Sequence, residues 1–239
     1  MLNLHKTHFI HFCLSGHKTK PLTVFVHGDT VRQVESTTFL GFELDRSLSW
    51  GSHIDRLCMR LGSASFALSR LSQTVPSGGV RSCYFATVHS LLQYGAELWG
   101  RAADWERAFR MQKRAVRAVS GMPCDASARP LFKQLNILTL PSVIIYQIAV
   151  YVRRNLSALK RYRDVNSYTT RSAERLVSLS RKLMRSDRLT HVVGPTVYNN
   201  IPGDIVAAPS LYCFKNKLKR WLIEQTFYNF EEFISHKAK

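Results

Sequence analysis

Acidic side chains are scarce in this sequence: 16 Asp and Glu stand against 34 Lys and Arg in 239 residues, a formal net charge of +18 and a pI near 10.1. An acidic metabolic enzyme does not fit that balance, and a polyanion or an anionic surface is the partner it favours. Cysteines number five, at 13, 58, 83, 124 and 213. An odd count without a CxxC pair argues against a disulfide framework and against a paired-cysteine zinc site, and for a reducing intracellular compartment, nucleus or cytoplasm. No transmembrane segment is expected, because the longest apolar run, 137–152, is broken by Pro141 and carries Thr139, Ser142 and Gln147. It falls short of the roughly 20 residues a membrane span needs. The N-terminus, with four histidines in its first 17 residues, does not read as a signal peptide.

Catalytic signatures are missing as well. GxxxxGK[ST], GxGxxG, GxSxG and HExxH do not occur, which removes the common phosphate-loop, dinucleotide, hydrolase-elbow and zinc-protease readings. A two-metal phosphoryl-transfer site needs carboxylates that hold cations about 4 Å apart. None of the eight aspartates (29, 45, 55, 104, 125, 164, 187, 204) adjoins another. Glu231-Glu232, beside an aromatic tail, reads as a solvated helix face, so neither a catalytic nor a metal site is assigned. His5, His8, His11, His17 and His27 suggest a metal cluster. A strand over 3–12, however, puts His5 and His11 on one face and His8 on the other, which favours exposed polar strand positions. Cys83 and His89 lie six apart on one helix and do not share a face, so Cys83 is expected in the core.

What is present is a core: 45% of residues are hydrophobic. The pattern predicts a mainly α chain with a short N-terminal antiparallel β segment, an α+β protein built on a helical bundle. Strands are expected at 3–12, 22–27 and 38–45. From Ser52 the period changes to a helical stripe of Ile54, Leu57, Cys58, Leu61, Ala64, Ser65, Leu68 and Leu71, with Ser52 and Asp55 as a capping box. After Pro76-Ser77-Gly78-Gly79 a second stripe follows through Val80, Cys83, Tyr84, Thr87, Leu91, Tyr94 and Leu98. A third helix is expected from an Asp104 N-cap to Ser120-Gly121. Pro141 opens an apolar helix from 142 to about 154, and Ser210 caps a last one through Phe214, Leu218, Trp221 and Leu222. Residues 155–175, rich in Lys160, Arg161, Arg163, Arg171 and Arg175, read as an exposed linker or a loop that orders on binding. The expected division is 1–48, 49–154 and 155–239. Trp99, Trp105 and Trp221 fall on apolar stripes and are expected to pack rather than to stack on bases.

The charge is uneven: residues 1–100 carry +3 and residues 101–239 carry +15. Two helices concentrate it. Arg107, Arg110, Arg114 and Arg117 recur at three- and four-residue spacing, with Lys113 adjoining, so they project from one side of the third helix. Lys215, Lys217, Lys219 and Arg220 are interleaved along the last. Both sets are candidate nucleic-acid contacts.

Several blocks occur in a telling order: FLGFELDRSLSWGSHIDRLCMRLGSASFALSRL (39–71), LLQYGAELWG (91–100), MQKRAVRAVSG (111–121), RPLFKQLNILTLPSVIIYQ (129–147), SYTTR (167–171) and FKNKLKRWLIEQTFYNFEEF (214–233). This ordered set resembles the carboxy-terminal part of jockey-like non-LTR retrotransposon reverse transcriptases, RNA-directed DNA polymerases. The resemblance implies that 3–12 correspond to the end of the palm and that the helices from Ser52 onward form a thumb-like bundle and the region beyond it. The family's Tyr-X-Asp-Asp loop and upstream aspartate are absent from this chain, so Mg2+ is expected only for a complete polymerase and no cofactor for this chain. The partners implied are RNA, RNA–DNA or DNA duplex and a palm-containing polymerase portion, whose absence would leave the flank of the strands bare. The leading expectation is a non-catalytic reverse-transcriptase fragment that binds nucleic acid. A working RNA-directed DNA polymerase of which this sequence is only a part, and an inactive folded remnant or basic membrane-surface-associated protein, stay open beside it.

Overall fold

The computed structural model describes residues 3, 6–13, 22–165, 173–178 and 189–236. The chain is mainly α with a short β segment, as its periodicities predict. His5, His17 and the SYTTR block lie outside the described residues.

The β segment is more divided than the pattern suggests. β1 (His8–Phe9), β2 (Val24–Val26) and β3 (Asp29–Gln33) form one sheet in the order β1-β3-β2. β4 (Ser36–Phe39) and β5 (Phe42–Asp45) form a separate hairpin. β1 runs parallel to β3, pairing His8 with Arg32, so the segment is not wholly antiparallel. The stretch 38–45 is not one strand: it turns at Leu40 (φ 48°) and Gly41 (φ 82°). The β2–β3 turn at His27 (φ 52°) and Gly28 (φ 91°) has the same double positive φ, the geometry that matches hairpin twist. Only Val31 of these strands is buried, whereas Phe12, Leu22, Phe25, Phe39 and Leu40 are exposed.

α1 (Gly51–Leu71) buries Ile54, Leu57, Leu61, Ser65 and Leu68, the stripe read from the sequence. Its start is not the Ser52/Asp55 capping box. Asp45, six residues upstream of the helix, accepts from the backbone N–H groups of Ser47 (2.9 Å), Ser49 (3.0 Å) and Trp50 (3.1 Å), and Trp50 enters the helix at φ 68°. Partial burial alone would raise the Asp45 carboxyl, but the hydrogen bonds from Ser47 and Ser49 outweigh it and hold the group below its ordinary 3.8. Because the folded-state value is depressed, this contribution exists above the unfolded range and is lost as pH falls through the folded value. Asp45→Ala is expected to cost about 1 kcal/mol at neutral pH, the size of a lost N-cap. Urea midpoints of wild type and variant should draw together as pH falls from 3.8 through the lower folded value; a gap that persists at low pH would refute the carboxylate's role.

α2 (Ser77–Tyr84) continues through a π-helical turn, Phe85–His89, into α3 (Ser90–Gln93) and, after a break at Tyr94-Gly95, α4 (Ala96–Trp99). Here the expected stripe slips. The buried residues are Val80, Tyr84, Val88, Leu92, Ala96 and Trp99, while Tyr94 and Leu98 are exposed. The wider π turn adds a residue and advances the buried face by one position, which a constant helical period cannot show. Gly95 (φ 58°) is required: a Cβ there would strike the Phe42 ring, which stacks on Tyr94 at 4.8 Å.

α5 (Trp105–Val119) packs along α1 and ends, as predicted, at Ser120 and Gly121 (φ 63°). Asp104 precedes it but makes no side-chain cap. α6 (Arg129–Gln134) leads to α7 (Leu140–Arg154), capped by Thr139, whose Oγ1 accepts from Ser142 N. α7 is the central helix: Leu140 through Ile145, and Ile148, Ala149, Val150 and Val152, are buried. Among the described residues no helix is long and apolar enough to cross a membrane.

The described part of 155–175 is not a bare linker. Beyond the short α8 (Tyr162–Val165), Arg161 and Arg163 both pair with Glu174, and Leu176 is buried. Leu176 exchanges two 2.9 Å hydrogen bonds with the Asn199 amide. Asn199 ends α9 (Thr190–Asn199), a helix not anticipated from the sequence, whose interior Gly194-Pro195 locally disfavours helix. Packing against α7 compensates for the interior proline, burying Val192, Val193, Val197 and Tyr198. Gly194 sits so close to Val152 that a Cβ would lie 2.7 Å from its Cγ2. α10 (Gly203–Val206), α11 (Leu211–Gln225) and α12 (Phe230–Ser235) complete the chain. Ser210 caps α11 as predicted, accepting from Cys213 N. One continuous core runs from Ile54 of α1 to Phe233 of α12.

Candidate nucleic-acid interface

α5 buries Ala108, Phe109, Gln112, Ala115, Val116 and Val119, which turns Arg107, Arg110, Arg114 and Arg117 to the opposite side. The five cations singled out on this helix have different fates. Arg110 and Arg114 are exposed and have no acidic partner among the described residues. Arg107 forms an ion pair with Asp55 of α1 at 2.6 Å. Arg117 donates from Nε to the Ala126 carbonyl at 2.7 Å, fastening the loop after the helix. Lys113 lies over the rings of Phe109 (4.8 Å) and Tyr228 (5.7 Å). Partial burial, with Arg117 and Arg110 nearby, lowers its ammonium pKa.

The α11 set sits apart from this face. α11 packs on α6, α7 and α10. Lys217 donates to the Asp204 carbonyl at 3.2 Å, Lys215 is half-buried, and Lys219 and Arg220 are exposed. Lys219 lies near His89, whose imidazole is driven to about 4, first by burial and then by that charge. Lys217 is thus tied to α10 and Lys219 lies near His89, and no α11 cation has a partner on α5 among the described contacts.

α1 contributes cations that sequence reasoning passed over. Arg56, Arg60 and Arg70 share a helix face by their spacing; Arg56 pairs with Glu43, while Arg60 and Arg70 are exposed. The two helices run in the same direction. Asp55 meets Arg107 near their starts, and Phe66 and Ser69 meet Arg114 and Arg117 near their ends. Helical spacing places exposed Met59 and Phe66 between the α1 arginines and α5. The arginine spacing on α1 was the available signal, but the strong apolar stripe of that helix drew the reading inward.

Other candidates resolve into structure. Trp99 is buried, and Trp105 and Trp221 pack against the core, as expected. Cys83 also packs against the core. Glu232 is not simply solvated: it pairs with Arg129 at 2.9 Å and accepts from Tyr228 N at 2.8 Å. His8 Nε2 lies 2.5 Å from Thr37 Oγ1, tying the two sheets. Among the described residues no three His, Cys, Asp or Glu side chains gather where a metal ion would fit.

No family model and no solved structure matches the chain. A curated protein of Drosophila melanogaster named "Probable RNA-directed DNA polymerase from transposon BS" is 27% identical over 178 residues, 71% of this chain but only 19% of that relative's length. This match bears out the resemblance carried by the ordered sequence blocks: the chain is related to a stretch of a transposon RNA-directed DNA polymerase.

Proposed function

We propose that this chain acts as the nucleic-acid grip of a retrotransposon-type reverse transcriptase, holding the backbone of RNA, RNA–DNA or DNA duplex on a thumb-like bundle without polymerising by itself. The observation that carries this reading is the paired α1–α5 surface, where Arg110 and Arg114 stand exposed on a helix locked into the core and Arg70 stands exposed on the adjoining end of α1, over the Phe66 ring. Cations presented at helical spacing on a rigid scaffold suit phosphates, which position a duplex without reading its sequence. The dispersed aspartates support a gripping rather than a chemical role for this chain. The second basic surface, on α11, is less suited, since Lys217 is already engaged and Lys215 is half-buried.

The test is fluorescence anisotropy with a labelled RNA–DNA duplex over a range of salt. Each phosphate neutralised adds about 0.9 to the slope of log affinity against log salt for B-form duplex. Engagement of Arg70, Arg110 and Arg114 together predicts a slope of about −2.7. A flat salt dependence would sink the reading.

A further inference from the structure

Backbone contact leaves one part of the α1–α5 surface unused. Between Phe66 of α1 and the C-terminal end of α5 lies a cavity of about 240 Å³, lined by Phe66, Ser69, Arg114, Arg117, Met122 and Cys124. The Phe66 ring is 60% exposed. The Arg70 guanidinium carbon lies 5.5 Å from the ring centre, and Arg117 is held in place by its bond to the Ala126 carbonyl. An open aromatic ring, two arginines and a hydroxyl thus converge on one recess.

The ring, the guanidiniums and the hydroxyl each have a match in a nucleotide. A base stacks on an aromatic ring with little regard to its identity, guanidiniums take the phosphate, and a hydroxyl both donates to and accepts from a base edge. The recess is smaller than the roughly 300–1,000 Å³ of drug-sized ligand sites, which fits one ring system rather than two. Within a duplex each internal base is covered on both faces and tied to its pairing partner, so an unpaired nucleotide is the one that can turn a free face into a one-ring recess. We propose that this cavity receives one unpaired nucleotide, its base against Phe66 and its phosphate on Arg114, so that the surface prefers single-stranded or overhanging nucleic acid to blunt duplex. This inference rests on the nucleic-acid reading above and adds the class of substrate to it.

The experiment compares three labelled probes at one fixed salt concentration: an oligouridine strand, the same length of abasic strand, and a blunt RNA duplex. Wild type should bind the uridine strand more tightly than the abasic one. Phe66→Ala should weaken binding to the uridine strand roughly tenfold, within the range for loss of one stacked base, and leave the blunt duplex unchanged. Phe66→Tyr, which keeps the ring, should restore wild-type affinity for the uridine strand. Because the side chain is mostly solvent-exposed, either substitution should leave the fold intact, which circular dichroism checks. Equal affinity of wild type for uridine and abasic strands, or an equal effect of Phe66→Ala on strand and duplex, overturns the pocket while the grip stands. Failure of wild type to bind any probe overturns both.

Discussion

Replacing Gln112 by leucine is expected to destabilise the fold by about 3 kcal/mol, although the two side chains are similar in size and the position is fully buried. Gln112 is the polar hub of the core. Its Nε2 donates to the Tyr84 hydroxyl and to the Leu138 carbonyl, both at 2.9 Å, and its Oε1 accepts from Leu140 N at 2.7 Å. One amide thereby joins α2, α5 and the entry to α7. Leucine leaves little cavity but strands a carbonyl and an N–H in an apolar interior, each worth about 1–3 kcal/mol when orphaned. The Tyr84 phenol gives a graded comparison. Burial raises its pKa despite the bond from Gln112, so it stays neutral. Tyr84→Phe removes only the hydroxyl, and Gln112 keeps its two backbone partners, so about 1 kcal/mol is expected. Urea unfolding should show a large fall in midpoint for Gln112→Leu with an unchanged m-value. A loss no greater than that of Tyr84→Phe would remove Gln112 as the hub.

That hub also marks where sequence reasoning stopped. Gln112 sits on the apolar side of α5 among Ala108, Ala115 and Val119, and nothing in its spacing separates a buried amide from a surface one. The strongly periodic elements were legible: the α1 stripe, α5 with its glycine stop, α7 behind Pro141 and α11 behind Ser210. The elements that escaped were those whose local signal contradicts their tertiary setting. α9 contains Gly194-Pro195 and holds by packing on α7, and the slip after Tyr84 comes from one π turn. The β4–β5 hairpin turns at Leu40-Gly41, without the Asn or Asp that usually marks such a turn. For the site, spacing alone put the α5 arginines on one face. It could not tell which were already committed, because the partners Asp55 and Ala126, and the Tyr228 ring beneath Lys113, come from other parts of the chain.

The double charge reversal Arg110→Glu, Arg114→Glu is expected to lower affinity for an RNA–DNA duplex by about 10²-fold at 0.1 M salt. Each duplex phosphate contact is worth about eightfold there, because the salt slope of about 0.9 per contact spans one decade below 1 M. Losing two contacts costs about sixtyfold, and two carboxylates facing phosphates add repulsion. The salt slope should flatten by about 1.8 in the same titration. These two positions isolate the grip because neither is paired with an acid among the described residues. Arg107→Glu would instead set a carboxylate against Asp55, and Arg117→Glu would release the Ala126 carbonyl, so both would mix binding with stability. Lys219→Glu on α11 is the matched control, an exposed cation on the other basic surface. If the α5 double variant binds like wild type and Lys219→Glu alone weakens binding, the grip belongs to α11 and the α1–α5 surface must have another partner.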